Sequence, residues 1–329
     1  MLPDIAIRAE HLRKTFGDVV AVDDVSLTVP TGTVLGVLGP NGAGKTTTVR
    51  MLATLIRPDS GSATVFGRDI VSDATAVRSQ ISLTGQYASV DEDLTASENL
   101  ELFARLLGYR GRAAKKRAAE LIEQFDLTAA ANRPVSGFSG GMRRRVDLAA
   151  SMIRKPALLF LDEPTTGLDP TTRQEVWTAV RELVAGGSTV LLTTQYLEEA
   201  DQLSDSLVVI DSGRVVASGD ADTLKDRVGQ RSLEIALFDA VRLTEATDIL
   251  RRVLDGPITT TPENGRLLAA ISDPTLSARA VVALEEVGIP VAEIAVRRPS
   301  LDDVFFAITA GDSPGSTTPA PADSEEDAA

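Results

Sequence analysis

Apolar and polar residues alternate through residues 20–29, where Val20, Val22, Val25, Leu27 and Val29 are interleaved with Asp23, Asp24, Ser26 and Thr28. A period of two belongs to half-buried antiparallel strands, so residues 5–30 predict a small β-subdomain. The pattern changes at 33–38 into an unbroken run of small and apolar residues, which predicts a short buried strand, and 46–54 has the composition of a helix. Residues 61–66 read as another strand, and 81–84 as a core strand leading to Gln86. From 93 to 131 the apolar spacing becomes three and four, with helices over 96–107 and 112–125, so a helical insert is expected there. Asn132, Arg133 and Pro134 break it. A helix over 143–154, an apolar strand over 157–161, a helix over 171–184, a buried strand over 188–193 and a helix over 197–203 follow.

Beyond residue 228 the pattern changes again. Strands at 231–238, 257–261, 266–271 and 291–296 and helices at 243–254 and 276–287 give the order βαββαβ, that of a ferredoxin-like domain. It carries no cluster of catalytic residue types, and packing with dimer support is the expected role ahead of a regulatory ligand site. Residues 312–329 are proline, serine, threonine, alanine and acid, with little to bury, so a disordered acidic tail is expected. The expected divisions are 1–228, 229–310 and 311–329.

Chemistry enters at Gly39, Pro40, Asn41, Gly42, Ala43, Gly44, Lys45, Thr46 and Thr47, which read G-x-x-x-x-G-K-[ST] between the buried strand and a helix. That context suits a phosphate cradle. Gly39, Gly42 and Gly44 let the backbone curl so that N–H groups converge on phosphate oxygens, and the helix N-terminus adds positive charge. Lys45 would reach the β- and γ-phosphates, and the Thr46 hydroxyl would ligate Mg²⁺; a ligand-free glycine turn is the alternative. A second glycine-rich stretch, with Phe138, Ser139, Gly140, Gly141 and Met142, stands before the 143–154 helix. It could bind phosphate by the same physics but lacks a lysine, which makes it half a site.

The strand at 157–161 ends in Asp162 and Glu163. Asp162 would hold Mg²⁺, directly or through water, and Glu163 would orient and deprotonate an attacking water; an acidic helix-capping turn is the alternative. Phe16, at the end of the first segment, could stack on a nucleotide base or lie in a core. Gly167, Leu168 and Asp169 form a tight turn, and the 188–193 strand runs out at Thr194 and Gln195.

Composition removes other chemistries. The 329 residues include no cysteine and one histidine, His11, which excludes disulfides, thiolate metal sites and a serine-type triad. A net charge of −14 opposes a general nucleic-acid surface, so no nucleic acid is expected as a partner, and Arg143, Arg144 and Arg145 read as a solvated helix face. Neither a membrane span nor a signal peptide is apparent, and a soluble cytoplasmic protein is expected.

Taken in order, the cradle at 39–47, Gln86, the stretch 138–142, Leu161 to Pro164, Gly167 to Asp169 and residues 193–200 resemble the motifs of an ABC transporter ATPase subunit, over roughly residues 5–228. The resemblance implies an α/β P-loop NTPase of ABC type, with a RecA-like core, an antiparallel β-subdomain and a helical subdomain, followed here by the small α+β C-terminal domain. It implies ATP and Mg²⁺ as cofactors, with Thr46, Gln86 and Asp162 around the metal and Glu163, Gln195 and Gln86 catalytic. It implies a head-to-tail homodimer in which ATP lies between one chain's cradle and Ser139, Gly140, Gly141 and Met142 of the other, with Asp169 in the turn that crosses the interface. Gln86 matches the residue that links metal and attacking water to the transmembrane partner.

Phenylalanine and methionine at the ends of the 138–142 motif are a mild departure from the common form, whereas Gln195, where most relatives have histidine, and the segment 297–305 look like the daunorubicin-resistance type of drug-export ATPase. That type works with a separately encoded integral-membrane permease, which would hold this chain on the cytoplasmic face of the membrane. The rivals are a soluble ABC ATPase acting on ribosomes or nucleic acid, and a nucleotide sensor that scarcely hydrolyses. One cradle without a long heptad run weighs against the first, and the intact Asp162 and Glu163 pair against the second.

Overall fold

A computed structural model describes residues 4–85, 90–228, 231–261 and 265–310. Gln86 and the expected acidic tail lie outside the described residues. The chain divides into two compact units, Met1–Arg227 and Val228–Ala329.

The first unit holds a ten-stranded sheet in the order β5-β4-β1-β2-β10-β9-β3-β8-β7-β6. Its strands are β1 (Ile5–Phe16), β2 (Val19–Pro30), β3 (Val34–Leu38), β4 (Ser60–Val65), β5 (Arg68–Asp69), β6 (Ile81–Thr84), β7 (Leu158–Asp162), β8 (Thr189–Thr194), β9 (Ser206–Asp211) and β10 (Arg214–Gly219). The helices are α1 (Lys45–Leu52), α2 (Ala74–Arg78), α3 (Ala96–Leu106), α4 (Arg112–Gln124), α5 (Gly140–Ser151), α6 (Pro170–Ala185), α7 (Leu197–Leu203) and α8 (Ala221–Val228).

Two kinds of strand build this sheet, as the residue pattern requires. β6, β7, β8, β3 and β9 are parallel neighbours, and every residue of β3, β7 and β8 is buried, as strands covered on both faces must be. β1, β2, β4 and β5 pair antiparallel, and from Val25 to Pro30 β2 alternates buried and exposed. One core, with Met51 and Phe160 among its buried residues, joins these β-layers; a second, with Leu100, Leu121 and Trp177, joins the helical insert to the other face.

α3 begins where the sequence places it because Thr95 and Glu98 form a reciprocal capping box. α5 starts at Gly140, ahead of the expected 143. The Met142 N–H donates to Ser139 Oγ at 3.2 Å, so Ser139 is the N-cap and both glycines enter the helix.

The second unit has β11 (Arg231–Leu237), α9 (Leu243–Leu250), β12 (Ile258–Thr261), β13 (Arg266–Ile271), α10 (Leu276–Glu286), β14 (Val291–Arg297) and α11 (Leu301–Ala310). Its four strands are antiparallel in the order β12-β13-β11-β14, the split arrangement that a βαββαβ chain produces. Leu233 and Ile235 of β11 join Leu250 and Leu284 in the core between sheet and helices.

Candidate functional site

Four segments converge at the carboxyl ends of the parallel strands, where α/β sheets place their ligands. β3 leads into residues 39–47, β7 ends in Asp162 with Glu163 next, β8 leads to Gln195, and β6 ends at Thr84. Register sets their spacing, because Leu38 pairs with Thr194 and Asp162 with Thr193.

Gly44 carries a backbone φ of 102°, and a Cβ there would strike the Ala21 carbonyl. Only glycine meets both conditions. α1 follows without a side-chain cap, which leaves the N–H groups of its first turn for a ligand. Lys45 is buried, and its ammonium donates to the carbonyl oxygens of Gly39 at 2.8 Å and Pro40 at 3.0 Å. Its Nζ stands 3.7 Å from Glu163 Oε1. Burial lowers the Lys45 pKa, and the neighbouring charges of Glu163 and Asp162 oppose that shift.

Glu163 has a backbone φ of 49°, left-handed for a residue with a side chain. Its N–H donates to Thr193 O at 3.0 Å and lies 3.1 Å from Thr193 Oγ1, while the Thr166 hydroxyl reaches Glu163 Oε2 at 3.4 Å. These contacts hold the carboxylate over a cleft of about 650 Å³, lined by residues 41–47 with Ala21, Glu163, Thr166 and Gln195. Phe16 is not among the lining residues; its ring is half exposed, with Lys14 Nζ 5.6 Å from the centroid.

The hydroxyls of Thr46, at 3.1 Å, and Thr193, at 2.6 Å, both donate to Asp162 Oδ1. Among the described residues no three carboxylate, histidine or cysteine side chains gather as a metal cage. One hydroxyl beside one carboxylate fits Mg²⁺, which keeps several waters and takes its other oxygens from a bound phosphate.

Ser139, Gly140, Gly141 and Met142 do not line this cleft. Ser139 and Gly140 are exposed at the start of α5, and Met142 is half buried against the helical core. Gly141 is buried against α6, where an added Cβ would lie 2.5 Å from Thr172 Cγ2. Asp169 caps α6 by accepting from the Thr172 N–H at 3.0 Å and its hydroxyl at 2.7 Å, contacts that lower the Asp169 pKa. Gln195 is exposed to the cleft. The residue at the N-cap of α7 is Tyr196, and no side chain caps that helix.

The family model described as ABC transporter matches residues 22–166. The daunorubicin resistance ATP-binding protein of Streptomyces coeruleorubidus is 52% identical over 92% of this chain and 95% of its own length. The chain belongs to the ABC transporter ATP-binding family. The daunorubicin/doxorubicin resistance ATP-binding protein of Streptomyces peucetius is 51% identical over 93% of each chain. The Nod factor export ATP-binding protein I of Sinorhizobium fredii is 38% identical over 93% of this chain and 86% of its own. Among solved structures, the ATP-binding subunit of an ABC transporter matches with a TM-score of 0.61 and 28% identity, over 68% of this chain and 92% of that one. A dimeric cassette bound to ADP and phosphate after hydrolysis matches with a TM-score of 0.59 and 25% identity, over 65% of this chain and 98% of that one. The chain is thus an ABC-type ATPase with the P-loop NTPase fold.

Two residues to which the sequence reading gave no individual role in the site are buried charges of this ABC ATPase. Arg144, expected on a solvated helix face, is 8% exposed. Its guanidinium donates to Pro164 O at 2.8 Å, Gly85 O at 2.7 Å and Asp147 Oδ2 at 3.2 Å. It therefore joins α5 to the turn after Glu163 and to the residue before Gln86. Its position on α5 explains the correction, since that face of the helix lies against the strand ends. Glu199 is fully buried, with its Oε1 accepting from Trp177 Nε1 at 3.0 Å. Its place four residues after Gln195 was a readable signal, but burial was not.

Proposed function

We propose that this chain is the ATP-hydrolysing subunit of a drug exporter whose transport path belongs to a separately encoded membrane permease. The observation that carries the hydrolytic part is the placement of Lys45 beside Glu163 and of Thr46 beside Asp162 on one cleft. The similarity to proteins named for daunorubicin resistance supports drug export. Among the described residues no helix is long and apolar enough to cross a membrane, in keeping with a permease partner that holds the chain on the cytoplasmic face. No observation favours a ribosomal or nucleic-acid role.

Residues 39–47 would wrap the phosphates, with Lys45 turning from the Gly39 and Pro40 carbonyls to the β- and γ-oxygens and Phe16 stacking on the base. Thr46, Asp162 and Gln86 would hold Mg²⁺, which when bound neutralises phosphate charge. Glu163 accepts a proton from water as its oxygen attacks the γ-phosphorus; the bond to the β-bridging oxygen breaks, and ADP and phosphate leave. Gln195 would donate its amide to the γ-phosphate. Ser139, Gly140, Gly141 and Met142 would complete the site on a second copy, whose arrival closes a head-to-tail homodimer across the Asp169 turn. The unit beyond Val228 is read as an accessory domain that supports assembly.

Lys45→Ala and Glu163→Gln test the division of labour. Lys45→Ala should weaken nucleotide binding, whereas Glu163→Gln should keep Mg-ATP binding and lose about 10²- to 10⁴-fold in turnover. Equal losses of ATP affinity in the two variants, measured by calorimetry, would overturn these roles.

A further inference from the structure

β14 is an edge of the small sheet, and its free flank pairs with no described strand. It contains neither proline nor lysine, the residues that commonly block edge pairing. A bulge at Ala292 disturbs its start, because Leu237 pairs with Val291 but Ala236 pairs with Glu293; from Glu293 to Arg297 the register is regular. Within that stretch Ile294 and Val296 oppose Ile235 and Leu233 on the helix-covered face, yet they remain 37% and 39% exposed. Glu293 and Arg297 alternate with them onto the other face, their side chains 62% and 63% exposed.

We propose that β14 pairs antiparallel with β14 of a second copy of this chain, about a two-fold axis at Ala295. That register sets Glu293 opposite the partner's Arg297 and Ile294 opposite the partner's Val296, each contact occurring twice. A two-fold at Ile294 or Val296 pairs no opposite charges, and an axis between residues sets an apolar side chain against a charged one on the wrong face. The regular stretch is therefore self-complementary in charge and in apolar surface at one register. Glu293 lies 3.5 Å from Arg266 and Arg297 lies 3.0 Å from Glu234 within the chain, and the exposure of Glu293 and Arg297 leaves room for a second partner. Five opposed residues bury too little for a tight dimer, so the contact is weak alone and gains from any assembly that already holds two copies together. It shares with the head-to-tail dimer only the presence of two chains and a two-fold axis, and it requires no nucleotide.

The chain has no cysteine, so Ala295→Cys introduces the only thiol. Directly opposed antiparallel residues have Cα atoms about 4.5–5.5 Å apart, within the span of a disulfide. The full chain in concentrated, nucleotide-free solution should oxidise to a covalent dimer about tenfold faster with Ala295→Cys than with Ala278→Cys on the exposed face of α10. Adding Lys45→Ala should leave that rate unchanged. Adding Ile294→Lys or, should that chain lose its fold, Val296→Lys should abolish the advantage. Equal rates at the two cysteines, or a fast rate that survives both edge lysines, overturns the pairing. Loss of the fast rate with Lys45→Ala also overturns it, because the pairing draws on nothing in the phosphate cradle.

Discussion

Two groups of charged residues, one in each unit, occupy opposite settings. In the first, Arg144 and Glu199 are buried, and most of their hydrogen bonds go to neutral groups: the carbonyls of Gly85 and Pro164 for the arginine, the Trp177 indole for the glutamate. In the second, Glu234, Glu293, Arg266 and Arg297 form a lattice on the sheet face away from the core, where Glu234 pairs with Arg266 and Arg297, and Arg266 also with Glu293. A buried charge must be held by fixed dipoles, so it fixes the backbone that supplies them. A charge facing water pairs weakly and fixes little. The chemistry of this ATPase lies in the unit of the first kind.

Arg144→Met should break that contrast most. Burial lowers the Arg144 pKa, opposed by the charges of Asp147, Glu199 and Asp162. Its loss strips two carbonyls and the Asp147 carboxylate of a donor, and about 3 kcal/mol of stability should go with it. Because those carbonyls flank Glu163 and Gln86, turnover should also fall about tenfold in the molecules that remain folded. Arg144→Lys presents a point charge that cannot span both carbonyls, so it should recover stability better than turnover. Arg143→Ala, which removes a pairing with the exposed Glu92, should cost under ~0.5 kcal/mol. Denaturant midpoints beside single-turnover rates read both effects; a wild-type rate in Arg144→Lys would remove the positioning role.

This contrast also marks how far the sequence could be read. The unbroken runs that became β3, β7 and β8 and the alternation that became β2 are local patterns, and so is the spacing of the cradle. Asp162 and Glu163 were legible because a strand must end where its apolar run ends. Arg144 was not, because three consecutive arginines look alike until the turn of α5 decides which one faces the strand ends. Nor was the start of α5, where a serine cap drew two glycines into a helix that their propensity opposes. Thr193 lay inside a recognised motif, but its grip on Asp162 and Glu163 depends on the pairing of β7 with β8, which is a long-range fact.

Glu199→Gln should have a smaller effect and an opposite sign. Burial raises the Glu199 pKa above 4.5, offset in part by the Thr194 and Thr165 hydroxyls, Trp177 and Arg173, while Oε2 has no full hydrogen-bond partner among the described residues. From pH 4.5 up to the folded pKa the native state keeps a proton that the unfolded chain has released, so stability falls as pH rises through that window. Glutamine still accepts from Trp177 and never ionises. The variant should therefore lose this pH dependence and gain about 1 kcal/mol at neutral pH. Urea titrations across the acid range measure it, and a wild-type profile as flat as the variant's would count against the assignment.

Glu234→Gln, in the water-facing lattice, should have the smallest effect. Arg266 and Arg297 both reach this carboxylate from neighbouring strands, and the two arginine side chains are 40% and 63% exposed. Water competes for such guanidinium groups, and holding long side chains in one geometry costs entropy, so the two ion pairs together should contribute less than ~1 kcal/mol. The amide keeps an acceptor oxygen for one arginine and gives up the charge and the second acceptor, which water replaces at the exposed guanidinium. What remains is Coulombic and screened, so the difference between wild type and variant should shrink toward zero as salt rises from about 0.1 M to 1 M. A salt-independent loss of several kcal/mol would instead mean that Glu234, itself 19% exposed, behaves as a buried charge whose removal leaves two arginines uncompensated. The two units would then differ in the position of their charges along the sheet, at strand ends or across a face, and no longer in the strength with which those charges are held.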